Sequence, residues 1–137
     1  MQIKAQAIVY KIIKGEIYCL CLKRCLSDGG FWHVITGTFE DAENDKSCLQ
    51  REIMEELGEQ KILNISPRLK EWIWKKNNDD IVIYDYALCL DDNDIILNEE
   101  HTEFVWLKPE EAYNKYEKTS AKEMISLLKN YLFQINE

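Results

Sequence analysis

Residues 44–58 predict one helix with two chemically different sides. Asn44 or Asp45 supplies the N-terminal cap, and Gly58 supplies the stop. Apolar residues recur at every fourth position, and three carboxylates at i, i+3 and i+4 share a face beside that stripe. The stripe consists of Leu49, Ile53 and Leu57, and the carboxylates belong to Glu52, Glu55 and Glu56. The chain must therefore pack one side of this helix on a core and keep an acidic cluster beside it.

The acidic cluster predicts a metal site. Like charges at this spacing repel one another, so an ordinary surface helix gains nothing from them. A hard divalent cation removes the penalty, because Mg²⁺ takes oxygen ligands in octahedral geometry and usually keeps part of its water. Residues 40–59 contain eight Asp or Glu residues against two basic ones, which fits the same interpretation. The alternative is a solvated acidic helix face without a metal. If the cluster does bind a metal, it indicates chemistry on a phosphate.

Length and composition set the remaining limits. The 137 residues, 46% of them hydrophobic, predict a single domain over 1–137. A net charge of −8 argues against nonspecific binding to nucleic acid. No signal-peptide segment is recognised, and no apolar run approaches the roughly 20 residues of a membrane span. The five cysteines lack metal-binding spacing and read as small buried residues in a reducing compartment, so we expect a cytoplasmic protein without a membrane partner.

The order of elements predicts an α+β fold with a mixed sheet between helices. Lys14-Gly15 and Asn77-Asn78-Asp79 are turn signals, Pro109 opens a short helical turn, and a last amphipathic helix begins near Thr119 or Ser120. Strands are predicted at 5–13, 16–24, 31–36, 67–76, 80–90 and 103–107.

The segment from Gly37 to Gly58 resembles the Nudix box, the signature of hydrolases acting on nucleoside diphosphates linked to another group. Two positions depart from the pattern. Glu59 replaces an aliphatic residue, and Ala42 stands where a related subgroup often has Gly, which adds strain if that backbone has positive φ. The matching positions are Gly37, Glu43, Arg51, Glu52, Ile53, Glu55, Glu56 and Gly58. Segments 31–37 and 100–107 further resemble the dihydroneopterin triphosphate or dATP pyrophosphohydrolase subgroup.

The resemblance implies an α/β/α sandwich whose mixed sheet lies between the box helix, within the box at 37–59, and a C-terminal helix. It also implies Mg²⁺-dependent hydrolysis, with Mn²⁺ as the expected substitute. The substrate would be a dATP-like nucleoside triphosphate or dihydroneopterin triphosphate, cleaved to the monophosphate and pyrophosphate. The protein would act as a monomer or homodimer.

Roles for individual residues follow from the same resemblance. Glu52, Glu55, Glu56, Glu100 and the main-chain carbonyl of Gly37 are the expected metal ligands. Either Glu55 or Glu100 would take the proton of the attacking water, and Glu99 and Glu103 are the rivals of Glu100. Glu43 and Arg51 are expected to order the loop and orient the ligand carboxylates without binding the metal. His33 and His101 are interpreted as structural residues.

Substrate contacts are expected outside the box. Arg24 would hold phosphate oxygens with its planar fork, and Thr36 would bind the substrate from the end of a strand. Trp32 would stack on a base or pterin ring, although core packing explains it equally well. Lys4 would reach a phosphate.

Three alternatives stay open. The chain could hydrolyse another substrate of the same family, such as ADP-ribose, a dinucleotide or an oxidised dNTP. It could be a nucleotide-binding regulator without catalysis, which the retained carboxylates argue against. It could also be an interaction module that uses the C-terminal helix, since apolar periodicity does not exclude a dimer there.

Overall fold

A computed structural model describes residues 2–136. The strands are β1 (Gln2–Ile13), β2 (Glu16–Arg24), β3 (Trp32–His33), β4 (Ile35–Thr38), β5 (Ile62–Ile65), β6 (Lys70–Lys76), β7 (Asp79–Leu90) and β8 (His101–Leu107). The helices are α1 (Asp45–Leu57), α2 (Pro109–Lys115) and α3 (Thr119–Ile135), with a 3₁₀ turn at Leu26–Asp28. No helix within residues 2–136 is long and apolar enough to cross a membrane.

The eight strands form one mixed sheet, as predicted. Its main path runs β3-β2-β1-β7-β5, and β4, β6 and β8 pair with β1, β7 and β2 respectively. Strands β1 and β7 run parallel, and every other pairing is antiparallel. The central strand β1 therefore joins the predicted N-terminal hairpin to the long strand β7.

Alternation along β1 produces the two cores of a three-layer sandwich. Ala5, Ala7 and Val9 face one cluster, which includes the apolar stripe of α1. Ile8 and Tyr10 face the other cluster, which includes the buried residues of α3. The sheet thus lies between the box helix and the C-terminal helix, which confirms the predicted fold class.

Local capping defines the ends of α1. The Asn44 side chain accepts a hydrogen bond from the Ser47 N–H at 2.8 Å, and the Ser47 hydroxyl accepts one from the Asn44 N–H at 3.0 Å. This reciprocal pair satisfies two N-terminal donors. Gly58 follows the last turn with φ = 81°, a conformation that glycine adopts without strain.

The strand predictions were partly wrong. The predicted strand 31–36 is two short strands separated at Val34, the second of which continues through Gly37 to Thr38 because it pairs with β1. Strand β5 was not predicted, since four residues interrupted by Asn64 give no clear alternation. The predicted strand 67–76 begins only at Lys70, after Pro67, which has no N–H for a ladder.

The cysteine prediction holds for most of the five thiols. Cys19, Cys21, Cys48 and Cys89 are buried, whereas Cys25 is partly exposed, and all five are free. Burial raises the pKa of Cys19 to about 12 and that of Cys21 to about 11. These side chains behave as small apolar residues of the core.

Candidate active site

Gly37 and Glu52 are in direct steric contact, one from the sheet and one from α1. A Cβ added to Gly37 would overlap the carboxyl carbon and Oε1 of Glu52. Position 37 therefore accepts only glycine while Glu52 keeps this place. The absence of a side chain also lets the backbone of β4 approach the carboxylate closely, as the predicted role of the Gly37 carbonyl requires.

Arg51 joins the loop before α1 to the carboxylates on it. Its Nε and Nη2 donate to the two Glu43 oxygens at 2.8 and 3.0 Å, and Nη1 donates to Glu52 Oε1 at 2.8 Å. Nη2 also donates to the Thr38 carbonyl at 2.8 Å. The Arg51 guanidinium, followed by the Glu40 N–H, lowers the pKa of Glu43 to about 2. This network fixes one oxygen of Glu52.

Glu56 is the least satisfied carboxylate in this region. It is 1% exposed, and neither oxygen has a hydrogen-bond partner within residues 2–136. Burial, followed by the neighbouring Glu52, raises the pKa of Glu56 well above its ordinary value. The fold therefore disfavours the ionised form of this carboxyl unless a positive charge lies beside it.

Glu100 and His101 complete this cluster from the start of β8. One donor atom each of Glu56, Glu100 and His101 lies within 4.8 Å of the others. His101 Nδ1 is 3.7 Å from Glu56 Oε1, but the two do not form an ion pair, because burial and then Arg24 lower the pKa of His101 to about 4. Buried carboxylate oxygens without donors are what a divalent cation would satisfy, so these residues fit a metal.

The chain matches the family model for the NUDIX domain over residues 4–128. It is 33% identical over 120 residues to the nucleoside triphosphatase NudI of Salmonella agona, covering 79% of this chain and 85% of that relative. The chain belongs to the Nudix family. The expectation of a Nudix hydrolase that cleaves diphosphate bonds is thereby confirmed.

Solved Nudix structures share the fold. A C. elegans Ap4A hydrolase binary complex superposes with a TM-score of 0.79 at 16% identity, covering 98% of this chain and 99% of that one. The E. coli dihydroneopterin triphosphate pyrophosphohydrolase gives 0.68 at 18% identity, covering 90% and 91%. At these identities the similarity shows the architecture, which agrees with the predicted α+β sandwich.

Among the predicted ligands of the Nudix box, Glu55 stands apart. Its side chain is 53% exposed and contacts Arg51 Nη1 at 3.3 Å, outside the group that Glu56 forms with Glu100. Glu100 is also exposed, but it lies beside the buried Glu56. Its rival Glu103 is instead exposed beside Lys23, with 3.4 Å between the charged atoms. The structure therefore brings Glu56 and Glu100 together and leaves Glu55 on the rim.

Arg24 lies next to this cluster at the end of β2. Nη2 forms an ion pair with Asp28 at 2.9 Å, and Nη1 donates to the Thr36 hydroxyl at 3.4 Å, while Nε has no partner within residues 2–136. Burial and then Arg24 lower the pKa of His33 to about 3, so this imidazole is neutral. The two predicted substrate residues, Arg24 and Thr36, are thus direct neighbours.

The other two predicted substrate residues lie in different surroundings. The Trp32 ring packs against the α3 core with Lys115 Nζ 4.4 Å from its centroid, and the main-chain N–H of Trp32 donates to Glu117 at 2.9 Å. Lys4 lines a cavity of about 620 Å³ at the β6–β7 turn. The structure places neither beside Glu56.

The sequence alone did not reveal the burial of His101, and it left open the backbone conformation of Ala42. His101 was interpreted as a loop residue, but it is the first residue of β8 and is buried with both ring nitrogens unpartnered within residues 2–136. Its position directly after Glu100 was the available signal. Ala42 has φ = 67°, so the Nudix loop carries the strain that a non-glycine residue was expected to add there.

Proposed function

We propose that the protein is a Mg²⁺-dependent pyrophosphohydrolase of nucleoside triphosphates or dihydroneopterin triphosphate that releases pyrophosphate and a monophosphate. The observation that carries the proposal is the buried, unpartnered carboxyl of Glu56 between Glu52 and Glu100. The nucleoside triphosphatase activity of the NudI relatives supports the triphosphate, and the resemblance of segments 31–37 and 100–107 supports the pterin alternative. The free cysteines fit the expected cytoplasmic location.

Four groups would hold the cation: the Gly37 carbonyl and the carboxylates of Glu52, Glu56 and Glu100. A bound Mg²⁺ would polarise phosphoryl oxygens and lower the pKa of a coordinated water. Arg51 keeps Glu52 in place through its 2.8 Å contact, and Glu43 in turn orients Arg51. The box thus supplies both ligands and the residues that position them.

Arg24 and Thr36 would hold the phosphates next to this site. Arg24 Nη2 pairs with Asp28, Nη1 contacts Thr36 and the buried Nε has no partner within residues 2–136, so phosphate oxygens would take the place of Asp28 or Thr36 on the fork. Positive charge fixed beside the transferring group stabilises the charge that develops there. Glu100 is the better placed base, because it lies beside Glu56, whereas Glu55 contacts Arg51 outside that group.

The substitution Glu56→Gln tests the metal assignment. It removes one ligand charge, so kcat should fall by about three orders of magnitude or more. Because the neutral amide avoids burying a charge, the metal-free variant should be at least as thermostable as the wild type, while the rise in Tm on adding Mg²⁺ disappears. Glu103→Gln on β8 is the matched control and should keep turnover. Wild-type turnover in Glu56→Gln would refute the site.

A substrate panel with product analysis tests the leaving group. Nucleoside triphosphates and dihydroneopterin triphosphate are compared with ADP-ribose, a dinucleotide and an oxidised dNTP. Pyrophosphate from the first two is expected. Preferred cleavage of ADP-ribose or a dinucleotide would replace the proposed substrate while keeping the Nudix chemistry. Ligand binding without hydrolysis, with either Mg²⁺ or Mn²⁺, would favour the regulator instead.

A further inference from the structure

A buried polar trio lies on the face of the sheet that packs against α3, opposite the Nudix helix. Gln6 on β1 is 4% exposed, and Asp85 on β7 is 2% exposed. Gln6 Nε2 donates to Asp85 Oδ1 at 3.3 Å, and Trp72 Nε1 on β6 donates to Asp85 Oδ2 at 3.1 Å. Polar side chains are rarely buried unless they are hydrogen-bonded, and these contacts satisfy both Asp85 oxygens and the indole N–H of Trp72.

The donors and acceptors of the trio fix the Gln6 amide in one orientation. The indole N–H only donates and an ionised carboxylate only accepts, so Gln6 must turn its NH₂ towards Asp85. The same Nε2 lies 3.2 Å from Met124 Sδ, also an acceptor. The Gln6 carbonyl oxygen, Oε1, is left pointing away, and no group in residues 2–136 donates to it.

Both oxygens of Asp85 accept hydrogen bonds from N–H donors, as an ionised carboxylate does. Burial raises the pKa of Asp85 to about 6, against lowering contributions from Trp72, Lys70 and Gln6. Lys70 Nζ pairs with Glu123 at 3.0 Å, so it does not take Asp85 as an ion-pair partner. Above about pH 7, Asp85 is therefore a buried anion that accepts hydrogen bonds from neutral donors.

The trio adjoins the predicted phosphate contacts. Gln6 pairs with Thr36 in the β1–β4 register, and Thr36 contacts Arg24. In the other direction, Lys4 is the preceding residue of β1 on this face, and it lines the cavity of about 620 Å³ together with Ile81. Gln6 thus lies between Thr36, which contacts Arg24, and Lys4, which lines a cavity of the size that holds small ligands, while Gln6 itself does not line that cavity.

We propose that the Gln6 Oε1 atom accepts a hydrogen bond from an amino group on the substrate's heterocyclic ring, and that Asp85 and Trp72 are positioning residues that fix this acceptor. The inference rests on the proposed function, because it assigns the ring of the same triphosphate substrate. The ligand class is an amino-substituted purine or pterin. A ring without that amino group would leave the oxygen unpaired, which lowers affinity.

Pairs of triphosphates that differ by one amino group test the proposal. GTP is compared with ITP, and ATP with purine riboside triphosphate, by kcat/KM. The wild type should prefer the amino-bearing member of at least one pair by about tenfold, the equivalent of one hydrogen bond. Gln6→Leu should bring that ratio close to one. Equal rates within both pairs in the wild type would overturn the proposal.

Asp85→Asn gives the sharper test, because it should reverse the preference. The Trp72 N–H still requires an acceptor, so the introduced amide turns its oxygen to Trp72 and its NH₂ to Gln6. The Gln6 amide then rotates and presents a donor to the ring. The variant should favour the member without the amino group, a reversal that simple loss of packing would not produce. A variant with the wild-type preference would contradict the positioning role.

Failure of the inference can be separated from failure of the proposed function. If none of the four triphosphates is hydrolysed, their Kd values are measured with Mg²⁺ by calorimetry. An amino-group preference in binding that reverses in Asp85→Asn would support the inference while the hydrolase proposal fails. Hydrolysis without any amino-group preference would overturn the inference and leave the proposed hydrolysis intact, whereas binding without hydrolysis and without that preference would overturn both.

Discussion

Two arginine networks hold the N-terminal part of α1, and only one of them reaches the active site. In the first, Arg51 on the helix binds both oxygens of Glu43, which precedes the helix, at 2.8 and 3.0 Å. In the second, Arg68, which precedes β6, binds both oxygens of Asp45, the first residue of the helix, at 2.7 and 2.8 Å. Both are bidentate pairs of the kind that arginine forms best. Their pairwise geometry is nearly the same, so the difference in function must come from what surrounds each pair.

The two networks differ in the groups to which they lead. Arg68 stacks on the Tyr84 ring at 3.8 Å, and the Tyr86 hydroxyl donates to Asp45 at 2.8 Å, so its neighbours are aromatic side chains of β7. Arg51 instead continues to Glu52, which lies against Gly37 and beside the unpartnered Glu56. A satisfied network stabilises the fold, whereas one that ends at an unpaired carboxylate also prepares a ligand site.

The largest effect expected in the Arg51 network comes from Gly37→Ala. The added Cβ must displace the Glu52 carboxyl, so a proposed ligand moves while the strand remains. We expect kcat/KM to fall by about 10²-fold or more, because displacing a ligand by even about 1 Å is costly. Gly15→Ala is the control. That glycine has φ = 80° and open space, so the substitution should cost about 1 kcal/mol and no activity. A fully active Gly37→Ala variant would remove the steric argument.

A matched pair of arginine substitutions tests the comparison itself. Arg51→Ala and Arg68→Ala should each lower the free energy of unfolding by about 1–3 kcal/mol, since each removes charge-assisted hydrogen bonds. Only Arg51→Ala frees Glu52, so only that variant should lose kcat/KM, by about 10²-fold. Arg68→Ala should stay within about twofold of the wild type. Urea unfolding and initial rates measure the two quantities. An equal loss of activity in both variants would show that general loosening of α1 explains the effect.

The sequence predicted the Arg51 network and not the Arg68 network, for a physical reason. Glu43, Arg51 and the three box carboxylates are close in the chain and recur at helical spacing, so their pattern is visible without tertiary structure. The Arg68–Asp45 pair spans 23 residues and depends on how the segment before β6 folds back on the helix. No spacing rule connects those two residues.

The same limit applies to the face opposite α1. The carboxamide of Gln6 and the carboxylate of Asp85 are 79 residues apart, and they meet only because β1 pairs with β7 in parallel. Glu100 was predicted by resemblance and lies beside Glu56, whereas the neighbouring His101 was discounted because burial is not visible in a short acidic segment. Trp32 was expected either to stack on a substrate ring or to pack in the core, and its ring packs with the α3 core. Its position near the box could not distinguish these two roles.

The smallest expected effect is a difference in how the two networks respond to acid. Arg51 lowers the pKa of Glu43 from 4.5 to about 2, and Arg68 lowers the pKa of Asp45 below 3.8. A lowered native pKa contributes stability above the ordinary value, and this contribution is lost as the pH falls towards the native one. Acidification should therefore weaken the Glu43 pair first, from about pH 4.5 downwards, and the Asp45 pair only below about pH 3.8.

Urea unfolding between pH 7 and pH 3 measures this order in Glu43→Gln and Asp45→Asn. Other carboxylates titrate in the same range, so the informative quantity is the difference in unfolding free energy between each variant and the wild type. That difference should shrink from about pH 4.5 for Glu43→Gln and from about pH 3.8 for Asp45→Asn. Parallel curves for a variant and the wild type would mean that its ion pair contributes no pH-dependent stability. In that event the bidentate geometry of that pair would position side chains without stabilising the fold.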